Sequence, residues 1–471
     1  MWKPSHLATV LNYVTPSFLS PTHIKRLSQP RITPTSYIDG LRGYAAVIVV
    51  IFHTSLLYSD DIVFFTFGLD ESHYNPLQLP IVRLFFSGHG MVSMFFVLGG
   101  YVNALRPLSL IRSGNLDDLA PALSSSLLRR FVRLCLPPLV STFIIAMTVY
   151  LGLWEPARSN LDLIRFTDGF PPRQDTLIGE LGHWCSEMMK LFNLASSTST
   201  QYDVHLWTVP TELRASLVLL MSLLMLARCT TTARLSLMAL LTAYTINCGR
   251  WEMSLYLAGA YLAELEMMRS SPGSSAKTAG SGYITPPNGA AKPDGGTEPR
   301  PQRRPLRRLG LALILFTSLF LLSCPSEAIE RSAGYRVVLK LVPSGLSSEP
   351  MRFIHGLGAV MAVYVVSHSK TLQQPFTSAL SQYLGSISYS LYIMHGPVLH
   401  IVSLTLVPAL WRIIGSDTEF RYNFAVFSGN AIAYVLLFWA ADLFYTHVDL
   451  RSVKLSRRFE QAVTTERATN H

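Results

Sequence analysis

Ser36-Tyr-Ile-Asp39-Gly-Leu-Arg42-Gly-Tyr-Ala-Ala-Val-Ile-Val-Val-Ile-Phe-His53-Thr-Ser55 is the stretch whose reading decides the fold. It is an apolar helix with two ionisable residues, Arg42 and His53, 11 positions apart. Eleven residues are about three turns, so both lie on nearly one face, roughly 16 Å apart along the axis. Arg42 then stands at one mouth of a membrane helix and His53 at or past its middle. Ionisable groups inside a bilayer are costly and face a protein interior or a polar cavity. Alone, Arg42 reads as a snorkelling anchor. Paired with His53, it reads as an anion-binding group at the helix end with a candidate base deeper down.

Composition agrees with a membrane chain. Of 471 residues, 49% are hydrophobic and only 14% charged, too apolar for an ordinary soluble protein of this size. The net charge of +10 raises a nucleic-acid partner. The basic residues cluster between apolar runs, however, so topology explains them and no nucleic acid is expected. Five scattered cysteines show no metal spacing, and no metal is expected. A bridge from Cys185 to Cys248 or Cys324 stays open.

Working outward, apolar runs at about ten places are long enough, or nearly so, to span. They fall near 41–58, 88–106, 134–153, 205–226, 235–249, 251–267, 309–324, 353–368, 384–410 and 424–446. With the N-terminus in the cytosol, the inside segments hold about 25 Lys and Arg and the outside ones about 11. The expected fold is therefore all-α and polytopic, with about ten transmembrane helices and both termini cytosolic. Residues 1–37 read as a cytosolic tail and 38–268 as helices 1–6. Residues 269–307 read as a disordered basic linker, 308–447 as helices 7–10, and 448–471 as a basic cytosolic tail. The stretch 154–204 reads as an outer loop that could cap a cavity.

Other polar residues recur at helical spacing. Arg130 and Arg133 share a face at the start of the third helix. They serve either as a positive-inside anchor or, with Arg42, as a clamp on donor phosphates. In His205-Leu-Trp207-Thr-Val-Pro210-Thr-Glu212-Leu-Arg214, Pro210 is expected to loosen the helix. Glu212 reads either as a member of a structural ion pair or as the orienter of a base or of a substrate hydroxyl. Gly99 and Gly100 read as helix packing. In the ninth helix Tyr392 and His395 share a face. There is no GxSxG elbow, HExxH, Walker loop or Rossmann fingerprint.

Four segments together resemble the acyltransferase 3 family of membrane O-acyltransferases. They are Asp39–His53, Met94-Phe-Phe-Val-Leu-Gly-Gly-Tyr101, Leu206–Glu212 and Leu384–His395. The Trp-Thr-Val-Pro-Thr-Glu form resembles the filamentous-fungal branch. The resemblance implies transfer of an acyl group, acetyl by family habit, from acyl-CoA to a hydroxyl. It implies that Arg42 and His53 are essential and that Arg130-x-x-Arg133 is the family's cytosolic arginine motif. Asp39, Tyr101, Trp207, Tyr392 and His395 are the supporting positions. Gly99 departs from the family, which usually has Ser there.

The expected chemistry is direct transfer, with a covalent acyl-histidine route left open. Arg42, Arg130 and Arg133 hold acyl-CoA, His53 is general base, and Glu212 orients. Acyl-CoA is a co-substrate, with no permanently bound cofactor. The expected partners are the lipid bilayer and a small lipophilic metabolite or glycan, in an intracellular membrane such as the endoplasmic reticulum. A proton-coupled metabolite transporter is the rival reading.

Overall fold

A computed structural model describes residues 15–19, 32–166, 169–194, 199–270 and 303–464. Most of the expected 1–37 tail and residues 271–302 of the expected linker lie outside the described residues. Among those described, the chain is helical with no strand.

Each of the ten expected spans is a helix. In order they are α1 Ser36–Tyr58, α2 Gly88–Ser113 and α3 Leu119–Tyr150, then, after a shorter α4 Leu177–Leu191, α5 Thr208–Met225, α6 Thr231–Asn247 and α7 Trp251–Ser270. The remainder are α8 Arg303–Leu322, α9 Pro350–Ser367, α10 Ala379–Val398, which runs on into α11 Leu404–Ile414, and α12 Glu419–Phe444, which runs on into α13 Leu450–Val463. The joins are π-helical turns, Leu399–Ser403 and Tyr445–Asp449. Eight of these helical rods are long and apolar enough to cross a membrane. α6 and α7 fall outside that set. α6 is only 17 residues, and α7 carries Glu252, Glu264, Glu266 and Arg269. Glu264 is fully buried, and Arg234 and Arg112 meet its Oε1 at 2.7 and 3.1 Å. Those pairs satisfy a charge that would otherwise bar the helix from an apolar bundle.

Without a hydrophobic drive between helices in lipid, association relies on close van der Waals packing at small residues. Two crossings use it. Where α2 meets α7, a Cβ at Gly100 would overlap the Tyr256 carbonyl, and one at Gly259 would overlap the Val97 carbonyl. Where α1 meets α10, a Cβ at Gly43 would lie 2.5 Å from the Gly385 nitrogen. The packing reading of Gly100 therefore holds, and Gly43, next to Arg42, brings α10 against α1. Gly259→Val is expected to cost about 3 kcal/mol or more, because backbone cannot yield as a side chain does. The check is a lower thermal midpoint and reduced monodisperse yield in detergent.

The 154–204 stretch is more than a surface loop. Its helix α4 lies along α3, where Trp184 donates to the Thr142 hydroxyl at 3.1 Å and Leu191 is buried with Leu134 and Val209. Arg83 is 1% exposed and donates at 2.6 Å to the Ser323 and Val63 carbonyls, tying the α1–α2 connection to the end of α8. Asp442 accepts from the Ser17 hydroxyl at 2.6 Å and from Tyr383 at 3.2 Å, which docks an N-terminal turn on α12. All five cysteines are free.

Candidate active site

A cavity of about 210 Å³ opens between α1, α2, α3, α5 and α10. Asp39, Arg42 and Arg133 line one part; Thr208 and Tyr392 line another, with Arg130, Glu212 and the apolar Phe95 and Phe96 also in its wall. α1 carries Arg42 across to Ser388 on α10, where its guanidinium donates to the hydroxyl at 3.3 Å. Asp39, a turn earlier on α1, is 3.6 Å from Arg42 and about half exposed. Arg133 lies one turn from Arg130 and is exposed. Arg42 and Arg133 thus face one space, with the carboxylates of Asp39 and Glu212 in the same wall and that of Asp449 near both arginines.

Arg130 is held differently. It donates to Glu212 Oε1 at 2.6 Å, to the Tyr256 oxygen at 2.6 Å and to Asn103 Oδ1 at 2.8 Å, while Tyr256 donates to Glu212 at 3.1 Å. Its charge is neutralised before any ligand enters. Of the readings open for Glu212, the structure shows the ion pair, with Arg130 as its partner, and Glu212 does not contact His53 in any hydrogen bond among the described residues. The reason is geometric: Glu212 lies seven residues beyond His205, about two turns and 10 Å along the chain, and the position beside His53 belongs to His205. Tyr256 also fills the space left by Gly99. A Cβ there would lie 2.7 Å from the tyrosine oxygen, so in this chain a tyrosine hydroxyl occupies the place where the family pattern expects a serine.

His53 is not in the cavity wall but lies just past Tyr392. The Tyr392 hydroxyl is 2.7 Å from Thr208 Oγ1 and donates to the His205 carbonyl. His205 Nε2 is 3.2 Å from His53 Nδ1, and His205 Nδ1 is 2.7 Å from Asp203 Oδ1. The His395 ring is 5.0 Å from that of His53 and 4.5 Å from that of His205, with its Nδ1 against the Tyr392 carbonyl. Nitrogens of the three imidazoles lie within 4.8 Å of one another. Such a group has the reach of a proton relay or of a shared cation site, and it is the feature that bears on the expected absence of a metal.

Local sequence explains the placement of His205. Pro210 falls in the first turn of α5, where its missing N–H costs nothing. It therefore starts the helix rather than loosening it. The preceding 3₁₀ turn, Val204–Trp207, is capped by Asp203, whose side chain accepts from the His205 N–H. Tyr392 and His395 of the supporting positions join the cluster, and Asp39 joins the mouth. Tyr101 and Trp207 do not. Tyr101 is buried in the α1–α2 core, and Trp207 lines a separate polar pocket beside Arg352, whose guanidinium is 5.3 Å above its ring. Asp203, His205, Asn103 and Tyr256 were not singled out from sequence. An Asp two residues before a His at a helix start was the available signal for the first two; Asn103 and Tyr256 had none.

The chain matches the acyltransferase domain of the acyltransferase 3 family over residues 35–445. It is similar to O-acetyltransferase PaAT-1 of Phomopsis amygdali, 28% identical over 484 residues covering 98% of this chain and 91% of that protein. It is also similar to acyltransferase R4 of Phoma sp., 26% identical over 92% of this chain and 97% of that protein. Acyltransferase clz18 of Cochliobolus lunatus is 24% identical over 87% and 91%. No solved structure matches the chain.

Proposed function

Because the chain belongs to the acyltransferase 3 family, and is thus a membrane-embedded O-acyltransferase, we propose that it moves an acyl group from acyl-CoA to an acceptor hydroxyl with His53 as general base. The observation that carries this reading is the single cavity with Arg42 and Arg133 at one part and Tyr392, bonded to His205, at another. Arg42 and Arg133 bind the donor's phosphates, a task that suits the planar guanidinium. Arg130, engaged by Glu212, shapes the wall between them. About 210 Å³ is below the range that encloses a whole drug-sized ligand. The space therefore takes the narrow pantetheine arm and thioester while the nucleotide stays at the mouth.

The acceptor hydroxyl gives its proton to His53 Nε2 as its oxygen attacks the thioester carbon. The new C–O bond forms, the C–S bond breaks, and the proton passes to the departing thiolate, leaving free CoA and an ester. An imidazole titrates near neutrality, which suits a group that accepts and then returns a proton. Holding both substrates in one bundle supplies much of the rate. Acetyl is the proposed acyl group, a reading supported by the name of the PaAT-1 relative. The proposed acceptor is a small lipophilic hydroxylated metabolite. The arginine mouth faces the cytosol by the positive-inside rule, in an intracellular membrane such as the endoplasmic reticulum.

Donor kinetics test the clamp. Arg42→Ala and Arg133→Ala are each expected to raise the acyl-CoA KM about tenfold or more, since a hydrogen bond to a charged group contributes about 1.5–3 kcal/mol. Acceptor KM should stay within twofold. An unchanged donor KM in both variants removes the clamp.

A further inference from the structure

We infer that Asp203 and His205 are positioning residues for His53, forming a hydrogen-bonded relay that fixes which of its nitrogens is the base. The inference rests on the acyl-transfer reading above. Three observations carry it.

The first is the order of donors and acceptors. An ionised carboxylate only accepts, so His205 Nδ1, 2.7 Å from Asp203 Oδ1, carries a hydrogen. Nε2 of the neutral ring is then an acceptor. It lies 3.2 Å from His53 Nδ1, so that nitrogen carries the hydrogen and His53 Nε2 bears the lone pair. The tautomer required of the base is set two residues away from it. When Nε2 takes the hydroxyl proton, the resulting positive charge lies in line with His205 and the Asp203 carboxylate. When the thiolate recovers the proton, Asp203 and His205 are unchanged.

The second observation is burial. The Asp203 side chain is 1% exposed and that of His205 4%. Asp203 Oδ2 is buried with no hydrogen-bond partner among the described residues. Capping a short 3₁₀ turn needs neither a charge nor a buried oxygen left unsatisfied, because asparagine caps as well. A carboxylate kept there at a cost serves the imidazole beside it.

The third observation is the room made for the contact. His395 is followed by Gly396, and a Cβ at that position would lie 2.7 Å from His205 Nδ1 and 3.1 Å from Asp203 Oδ1. Any larger residue would press on the Asp203–His205 hydrogen bond itself. A helix interior ordinarily favours alanine over glycine, so the glycine is explained by what passes beside it.

The test uses purified full-length protein assayed for CoA release with acetyl-CoA and an acceptor that supports turnover. Asp203→Asn keeps the shape and the cap, but its amide N–H₂ can donate to His205 Nδ1 and reverse the tautomer order. Gly396→Ala leaves every titratable group in place and displaces the contact. Both are expected to lower kcat at least about tenfold with donor KM within twofold. Equal loss through misfolding would instead reduce the amount of active protein and change the thermal midpoint.

If wild type turns over and both variants keep kcat within twofold, the relay is overturned while the acyl-transfer reading stands. If wild type binds no acetyl-CoA and gives no turnover, that reading fails and takes the relay with it. Metal analysis of the same samples is a separate arm. One tightly bound zinc in wild type that is lost in His205→Gln would overturn the relay by making His205 a ligand.

Discussion

Changing His53 to alanine is expected to lower kcat by about 10²- to 10⁴-fold, the range that a positioned general base supplies. Donor KM should hold within twofold, because the arginine mouth is about 16 Å away along α1. The fold should survive. His53 is partly exposed, lies within a 23-residue helix, and alanine is the better helix former. His53→Gln keeps a polar group of similar size but has no titratable nitrogen, so it should fall as far. Recovery by glutamine would mean that hydrogen bonding, rather than proton transfer, is the role of this position. Steady-state kinetics at matched amounts of folded protein separate these outcomes.

The second large effect concerns the Arg130–Glu212 pair. Its N···O distance is 2.6 Å, with Arg130 16% and Glu212 34% exposed. Removing one partner leaves the other charge half-buried without its nearest counter-charge, at about 3 kcal/mol once partial exposure discounts the fully buried case. Arg130→Met and Glu212→Leu are therefore each expected to lower the thermal midpoint markedly. The double change should cost clearly less than the sum, because neither charge is stranded. Tyr256→Phe removes only a bridging hydroxyl and should cost about 1 kcal/mol. Thermal midpoints of the four proteins in one detergent give the coupling. Strict additivity would show that the two residues act independently.

The helices were legible because lipid imposes long apolar runs and charge bias between them. Asp39–His53 and Leu384–His395 could be read as elements with a site on one face. Boundaries were less legible where charge pairs hide inside the bundle. Glu264 looks prohibitive in α7 until Arg112 and Arg234, each distant in sequence, arrive to meet it. α4 was missed for a related reason, since its apolar face is amphipathic and short and matches neither a span nor a plain loop.

Within the site, the contributions of single helices were legible and the pairings were not. Arg42, Arg133, Tyr392 and His395 stand where helical spacing puts them. The partner of Glu212 stayed open because a linear sequence does not say which helix its face meets. α3 brings Arg130 to it, whereas the 3₁₀ turn before α5 brings His205 to His53. Tyr256 could not have been found at all. Its role depends on a glycine at position 99 of another helix that leaves room for its hydroxyl.

The most direct measurement of the central claim is release of free CoA from acetyl-CoA by the purified protein, compared with the His53→Ala variant, across a panel of hydroxylated lipophilic acceptors. Acceptor-dependent release by wild type, with an acetyl ester formed in equal amount and both lost on replacing His53, is the predicted result. Turnover that proceeds undiminished without the imidazole, or folded protein that neither binds acetyl-CoA nor acetylates any acceptor, would contradict the account.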